Sequence, residues 1–168
     1  MRRTAVMLLA LGATALAAAG CGKKEEPVMP STAPLETTPS AAAPAELTHE
    51  QRERLEHLPA PYNTADPAAG QAKFAQCRSC HTVEKGGPNL TGPNLYNVVG
   101  AKAAQVPDFS FSDGLKNSGL VFDAPTLDKW IADPRDLVPD TKMTFLGVKD
   151  PQDRADIIAY LATQSDEK

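Results

Sequence analysis

The chain has 168 residues, 17 Lys and Arg against 21 Asp and Glu, and a formal net charge of −4. That length suits one domain with additions, and the acidic balance suggests no nucleic-acid partner. Aromatic residues make up only 5%, so a core built from side chains alone would be small.

The first 20 residues read as a signal peptide. Arg2 and Arg3 precede an apolar stretch over residues 5–19, too short to span a bilayer as a helix. It ends Ala18-Ala19-Gly20-Cys21, small residues directly before a cysteine, as at a bacterial lipoprotein processing site. In that reading Cys21 becomes the lipidated first residue, and several acyl chains give stable anchoring. Ordinary secretory cleavage after Ala19 is the alternative, which leaves Cys21 as an odd thiol in an exported protein. Residues 21–47 form a linker carrying Pro27, Pro30, Pro34, Pro39 and Pro44 among Ser, Thr, Ala and Glu. Such a segment buries too little apolar surface to fold, and extended it reaches ~70–80 Å.

Residues 48–64 hold a short helix and a connection. Thr48 is an N-cap with Gln51 three residues on, a capping box. Leu47, Leu55 and Leu58 form a thin apolar stripe, and His49 and His57 read as solvated surface histidines. The main domain occupies residues 65–168. Asp66-Pro67 starts a helix that runs through Gly70 and Phe74 into Cys77. Residues 82–106 read as loop, with a turn of helix near 94–98. A helix over 125–132 is stopped by Asp133-Pro134. Asp150-Pro151 opens the last helix, where Ala155, Ile157, Ile158, Ala159, Tyr160 and Leu161 make a broad apolar face. No strand pattern of any length occurs. The expectation is an all-α domain whose long loops wrap around something.

Cys77-Arg78-Ser79-Cys80-His81 names that something. This pattern is the c-type haem attachment signature: two thiols form thioethers to one porphyrin, and the adjacent histidine reaches the iron. Half a zinc site and a thioredoxin-like pair share the C-x-x-C spacing. Zinc needs more ligands, but Cys21, His49 and His57 all lie far upstream. A thioredoxin-like motif needs a βαβ setting, and a polar Gly/Pro-rich loop follows His81 instead.

The other face of the iron decides between carrier and catalyst. Methionine favours ferrous iron, whereas an open position admits oxygen or peroxide. Met1 and Met7 leave with the signal and Met29 lies in the linker, so Met143 is the candidate. A core-filling methionine is the alternative reading of that residue.

Several separated segments now resemble one family in the right order. They are residues 77–89 with the haem signature, Thr91-Gly92-Pro93-Asn94-Leu95, Thr141-Lys142-Met143 and Arg154-Ala155-Asp156-Ile157-Ile158-Ala159-Tyr160-Leu161. Together they resemble the class I cytochromes c, and above all mitochondrial cytochrome c and its membrane-attached alphaproteobacterial relatives. The likeness covers residues 70–163. It implies one covalent haem c, with thioethers to Cys77 and Cys80 and with His81 and Met143 as axial ligands. It also implies that the Pro93 carbonyl accepts a hydrogen bond from His81, and that Gly70 and Phe74 meet Tyr160 where the first and last helices cross. Thr141 and Lys142 would flank the distal ligand, and Trp130 stands where the family often has a tyrosine near it.

Two departures stand out. Where the family often has arginine, tyrosine and tryptophan bonded to a haem propionate, this chain has Ala101, Phe111 and Phe122. A buried carboxylate without donors is costly; water, protonation or Ser110, Ser112 or Lys102 would have to serve. An unneutralised carboxylate favours ferric iron, so a lower potential than in mitochondrial relatives is expected. From Tyr62 onward the domain also has 11 Lys and Arg against 14 Asp and Glu, where mitochondrial relatives are strongly basic. Long-range steering is then weak or reversed, although a local ring of Lys73, Lys85, Lys102, Lys142 and Lys149 could still dock a partner.

The expected function is a lipid-anchored, monomeric, single-haem electron carrier on the periplasmic side of a bacterial membrane. It would pass electrons one at a time from quinol–cytochrome c reductase to a terminal cytochrome c oxidase, and would not be an enzyme. A subunit permanently docked on a respiratory complex and a peroxidase-like haem enzyme are the rivals.

Overall fold

The computed structural model describes residues 46–166. Six helices follow in order: α1 His49–Glu56, α2 Pro67–Lys73, α3 Asp113–Asn117, α4 Ala124–Ala132, α5 Pro134–Leu137 and α6 Pro151–Ala162. Single 3-10 turns occupy Tyr62–Thr64 and Phe74–Gln76. No named strand occurs among the described residues; one isolated antiparallel bridge joins Lys102 to Val121. The signal peptide, Cys21 and nearly all of the linker lie outside the described residues.

The crossing of α2 and α6 organises the domain. Both helices start with Asp-Pro, which places a carboxylate over the first free N–H groups and a pre-set φ just inside. Asp66 accepts from the N–H groups of Ala68 and Ala69 at 2.8 and 3.2 Å, and Asp150 from those of Gln152 and Asp153 at 2.8 and 3.2 Å. As the family resemblance implies, Gly70 meets Tyr160 here, and the Phe74 and Tyr160 rings lie 5.4 Å apart. Asp156, only 6% exposed, accepts from the Asp66 N–H at 2.9 Å and from Gln152 Nε2 at 2.8 Å. Its burial is thereby matched by two donors.

α1 carries the predicted capping box: Thr48 accepts from the Gln51 N–H, and Gln51 Oε1 from the Thr48 N–H, at 3.2 and 3.0 Å. The helix ends at Glu56, and Leu58 closes a tighter turn on Leu55. Leu55 is buried with Ala159 and Ala162 of α6, and Gln51 Nε2 donates to the Thr163 carbonyl. The thin apolar stripe therefore suffices to dock the helix. His49 and His57 are exposed.

Four local expectations change. Residues 94–98 form no helix: Asn94 Oδ1 accepts from the Tyr96 N–H at 2.9 Å, and Asn97 takes φ +62°. The asparagine side chain offers the backbone a turn in place of a helix. α3 is an addition, nucleated by Ser112 accepting from the Leu115 N–H and by Asp140 accepting from the Gly114 N–H. Asp133-Pro134 does end α4, but Asp133 also caps α5 by accepting from the Arg135 N–H at 3.1 Å. α4 itself starts at Ala124, one residue before Pro125, with Asp123 as its N-cap.

Candidate haem site

The haem signature sits at the exit of α2. The N–H groups of Cys80 and His81 both donate to the Cys77 carbonyl at 3.0 Å, so one turn presents both thiols and the imidazole. The cysteines are half-buried and unpaired. Burial pushes the Cys77 thiol up to about 11, and the neighbouring Cys80 adds to the rise.

His81 is held from two sides. Its Nδ1 lies 2.7 Å from the Pro93 carbonyl, so Nδ1 carries the proton and Nε2 keeps its lone pair for a metal. Gly92 packs against the ring; a Cβ there would stand 2.3 Å from Cε1. The Gly92 N–H donates to the Cys80 carbonyl at 2.8 Å, which folds the loop back over the motif. Burial lowers the His81 pKa, outweighing the Pro93 carbonyl, and so favours the neutral, ligating form.

Pro93 also lines a cavity of about 320 Å³, with Leu95, Val98, Phe111 and Phe122 among its apolar walls. Pro93 thus links the imidazole to a mostly apolar space, although Cys77, Cys80, His81 and Met143 do not themselves line it. Two thiols in one turn, an oriented imidazole and that space fit a covalently bound porphyrin. Zinc fits less well: among the described residues no group of three or more His, Cys, Asp or Glu stands together.

Of the remaining expected residues, only some line this space. Ala101, Phe111 and Phe122 line the same cavity. Trp130 is buried with its ring 5.5 Å from that of Phe122. Met143 is half-buried against the main core, and its N–H donates to the buried Thr141 Oγ1 at 3.2 Å. Most of the lysine ring is engaged internally. Lys73 pairs with Asp153 at 2.6 Å and Lys85 with Asp166 at 2.7 Å. Lys142 donates to the carbonyl and hydroxyl of Ser110, and Lys149 to the Ala132 carbonyl. Lys102 is exposed at the cavity and has no partner among the described residues.

Sequence reasoning missed two supports of the site. Asp166 accepts from Tyr96 Oη at 2.9 Å and from Asn97 Nδ2 at 3.3 Å, tying the C-terminal segment to the turn that lines the cavity. Arg154 donates to both oxygens of Asp128 and to the carbonyls of Val148 and Lys149. It thereby joins α6 to α4 and to the end of the loop that carries Met143. Neither pairing leaves a local signal; the partners are 69–70 and 26 residues apart.

An α2–α6 crossing that presents Cys-x-x-Cys-His beside an apolar cavity defines a class I c-type cytochrome. A family model described as Cytochrome c matches residues 67–165; the chain belongs to this family. It is 52% identical over 103 residues to cytochrome c2 of Rhodomicrobium vannielii, spanning 61% of this chain and 82% of that one. It is 45% identical over 101 residues to cytochrome c of Theileria annulata, spanning 60% and 87%. The structure of cytochrome cH from Methylobacterium extorquens superposes with a TM-score of 0.55 at 51% identity, covering 58% of this chain and 97% of that one. Like the family, the protein binds one covalent haem c and is a single-haem electron carrier, not an enzyme. α1 precedes the matched residues.

Proposed function

We propose that the protein is a membrane-tethered carrier that moves single electrons from quinol–cytochrome c reductase to a terminal cytochrome c oxidase on the periplasmic side of a bacterial membrane. Cys77 and Cys80 would hold the haem by thioethers, and His81 and Met143 would hold its iron. The observation that carries this reading is the doubly fixed imidazole: Nδ1 on the Pro93 carbonyl at 2.7 Å and the ring against Gly92.

The haem, when bound, supplies the one-electron Fe(III)/Fe(II) couple. Pro93 fixes the tautomer that leaves the Nε2 lone pair free for a metal and makes the imidazole a better donor. Thr141 orders the backbone of Met143, so the thioether is presented from a defined loop. Leu95, Val98, Phe111 and Phe122 exclude water and lower the local dielectric, which limits reorganisation when the iron changes charge.

Cys21 is the lipid attachment point and residues 21–47 the tether. A tether raises effective concentration at partners in the same membrane, which suits a domain whose Lys73 and Lys85 each already hold an aspartate. Among the described residues no helix is long and apolar enough to cross a membrane.

The visible spectrum of the ferric protein tests the ligand set. A weak far-red sulfur-to-iron band that cyanide removes only slowly is expected, and Met143→Ala should lose the band and bind cyanide rapidly. Rapid cyanide binding by the unmutated protein would remove Met143 from the iron. Metabolic labelling with a fatty acid should mark the wild type and not Cys21→Ser; an unlabelled wild type would leave plain secretion as the reading.

A further inference from the structure

The cavity beside His81 is lined by a single charged side chain, Lys102, and by no carboxylate. Every other polar side chain on it is already engaged. Asn94 donates to Thr82 Oγ1 at 2.7 Å and to the Glu84 carbonyl at 3.0 Å. Tyr96 and Asn97 both donate to Asp166, and Gln105 Nε2 reaches the Ala103 carbonyl at 3.4 Å. Among the polar side chains that line the cavity, Lys102 alone has no hydrogen bond or ion pair to a described residue; Lys73, Lys85 and Lys116 each hold an aspartate, and Lys129, which does not line the cavity, is also unpaired among the described residues.

Its backbone is held at the rim. Lys102 stands opposite Val121, with the Ala103 N–H donating to the Leu120 carbonyl at 2.9 Å and the Phe122 N–H to the Ala101 carbonyl at 2.8 Å. Two residues on, Ala104 takes φ +59° and also lines the cavity. A left-handed conformation is unfavourable for a residue with a Cβ, so the surrounding structure holds this turn against its local preference, as happens at ligand sites. Ala101, Phe111 and Phe122 line the same cavity, and their side chains have no hydrogen to donate.

A haem brings two carboxylates, and an apolar cavity with one unpartnered ammonium at its mouth accommodates one of them there. We propose that Lys102 pairs with a haem propionate, and that this cation takes the place of the donors absent at Ala101, Phe111 and Phe122 in setting the iron's charge environment. The inference rests on covalent haem binding alone and is independent of tether, redox partners and distal ligand. The propionate's negative charge favours Fe(III), and the Lys102 ammonium offsets it and favours Fe(II). A long flexible stem lets the ammonium fold over the rim while staying hydrated.

The test is a redox titration of the holoprotein from pH 5 to 9, comparing Lys102→Gln with Lys102→Arg and with Lys116→Gln as a control for loss of one surface charge. Lys102→Gln should lower the Fe(II)/Fe(III) equilibrium constant about threefold to tenfold, or ~30–60 mV at 59 mV per decade for one electron. It should also raise the pH at which the potential responds to carboxylate protonation. Lys102→Arg should restore both. In the unmutated protein with ¹⁵N-labelled lysine, the Lys102 ammonium should show a larger ferric–ferrous shift difference than Lys116. Equal effects of Lys102→Gln and Lys116→Gln, or an unchanged pH dependence, would overturn the proposal, as would equal shifts at the two ammonium groups.

Discussion

Gly70 lies directly against the backbone of Asp156: a Cβ on Gly70 would stand 1.9 Å from the Asp156 carbonyl oxygen and 2.9 Å from Tyr160 Cβ. The obstacle is helix backbone, which cannot step aside as a flexible side chain would. Gly70→Ala should therefore push α2 off α6 and cost at least ~2 kcal/mol. Because only one 3-10 turn separates α2 from the haem-bearing turn, the far-red band should weaken too. Guanidinium unfolding of the holoprotein checks the first effect and its visible spectrum the second.

Arg154 and Asp128 form a two-pronged contact at 2.9 and 3.4 Å with side chains only 13% and 24% exposed. Charge-assisted bonds in such settings are stronger than exposed pairs, and removing one partner leaves the other charge unmatched. Arg154→Ala should destabilise the protein by about 2–3 kcal/mol. A double-mutant cycle with Asp128→Asn should give a coupling energy clearly above zero; additive effects would mean that the Val148 and Lys149 carbonyls, not Asp128, account for the loss.

Asp166 is held below its ordinary value of 3.8, first by Lys85 and then by Tyr96. A depressed carboxylate stabilises the fold above its unfolded value and loses that contribution as pH falls through the lower, folded one. The stability difference between wild type and Asp166→Asn should thus be constant across neutral pH and shrink as pH falls below 3.8. Lys85 is raised above 10.5 by the same pair, so its contribution is complete below that pH and disappears as pH rises through the folded value. Both groups are exposed, so the differences should be small and should fall with added salt. Thermal melts across pH at two ionic strengths measure this.

Leu55 is the apolar anchor of α1, 7% exposed against Ala159 and Ala162. Leu55→Ala should cost about 2 kcal/mol, at the low end for a buried leucine because the cluster is small. α1 lines no part of the cavity beside His81, so the reduction potential should stay unchanged. Hydrogen exchange should show α1 opening before the rest of the domain.

The legibility of this protein divides by distance along the chain. Cys77, Cys80 and His81 are contiguous, so the chemistry that attaches a haem is written in five residues. Asp66-Pro67, Asp150-Pro151 and Thr48 with Gln51 are caps, whose donors and acceptors lie within three residues of one another. Those three helix starts, the haem signature and the elimination that leaves Met143 as the candidate are therefore local facts, and the sequence by itself determined them; the start of α4 and the existence of α3 and α5 are not among them. Tertiary structure alone decided where those pieces meet. Residues 94–98 turn instead of coiling, and Asp166, about 70 residues away, clasps that turn. α3 exists in part because Asp140 receives the Gly114 N–H. Lys102 is unpartnered at the cavity while Lys73 and Lys85 are paired, a distinction that lysines in a sequence do not carry. The physical reason is common to all of these: a short-range bond is specified by residue type and spacing, whereas a long-range one exists only after packing has brought its two ends together.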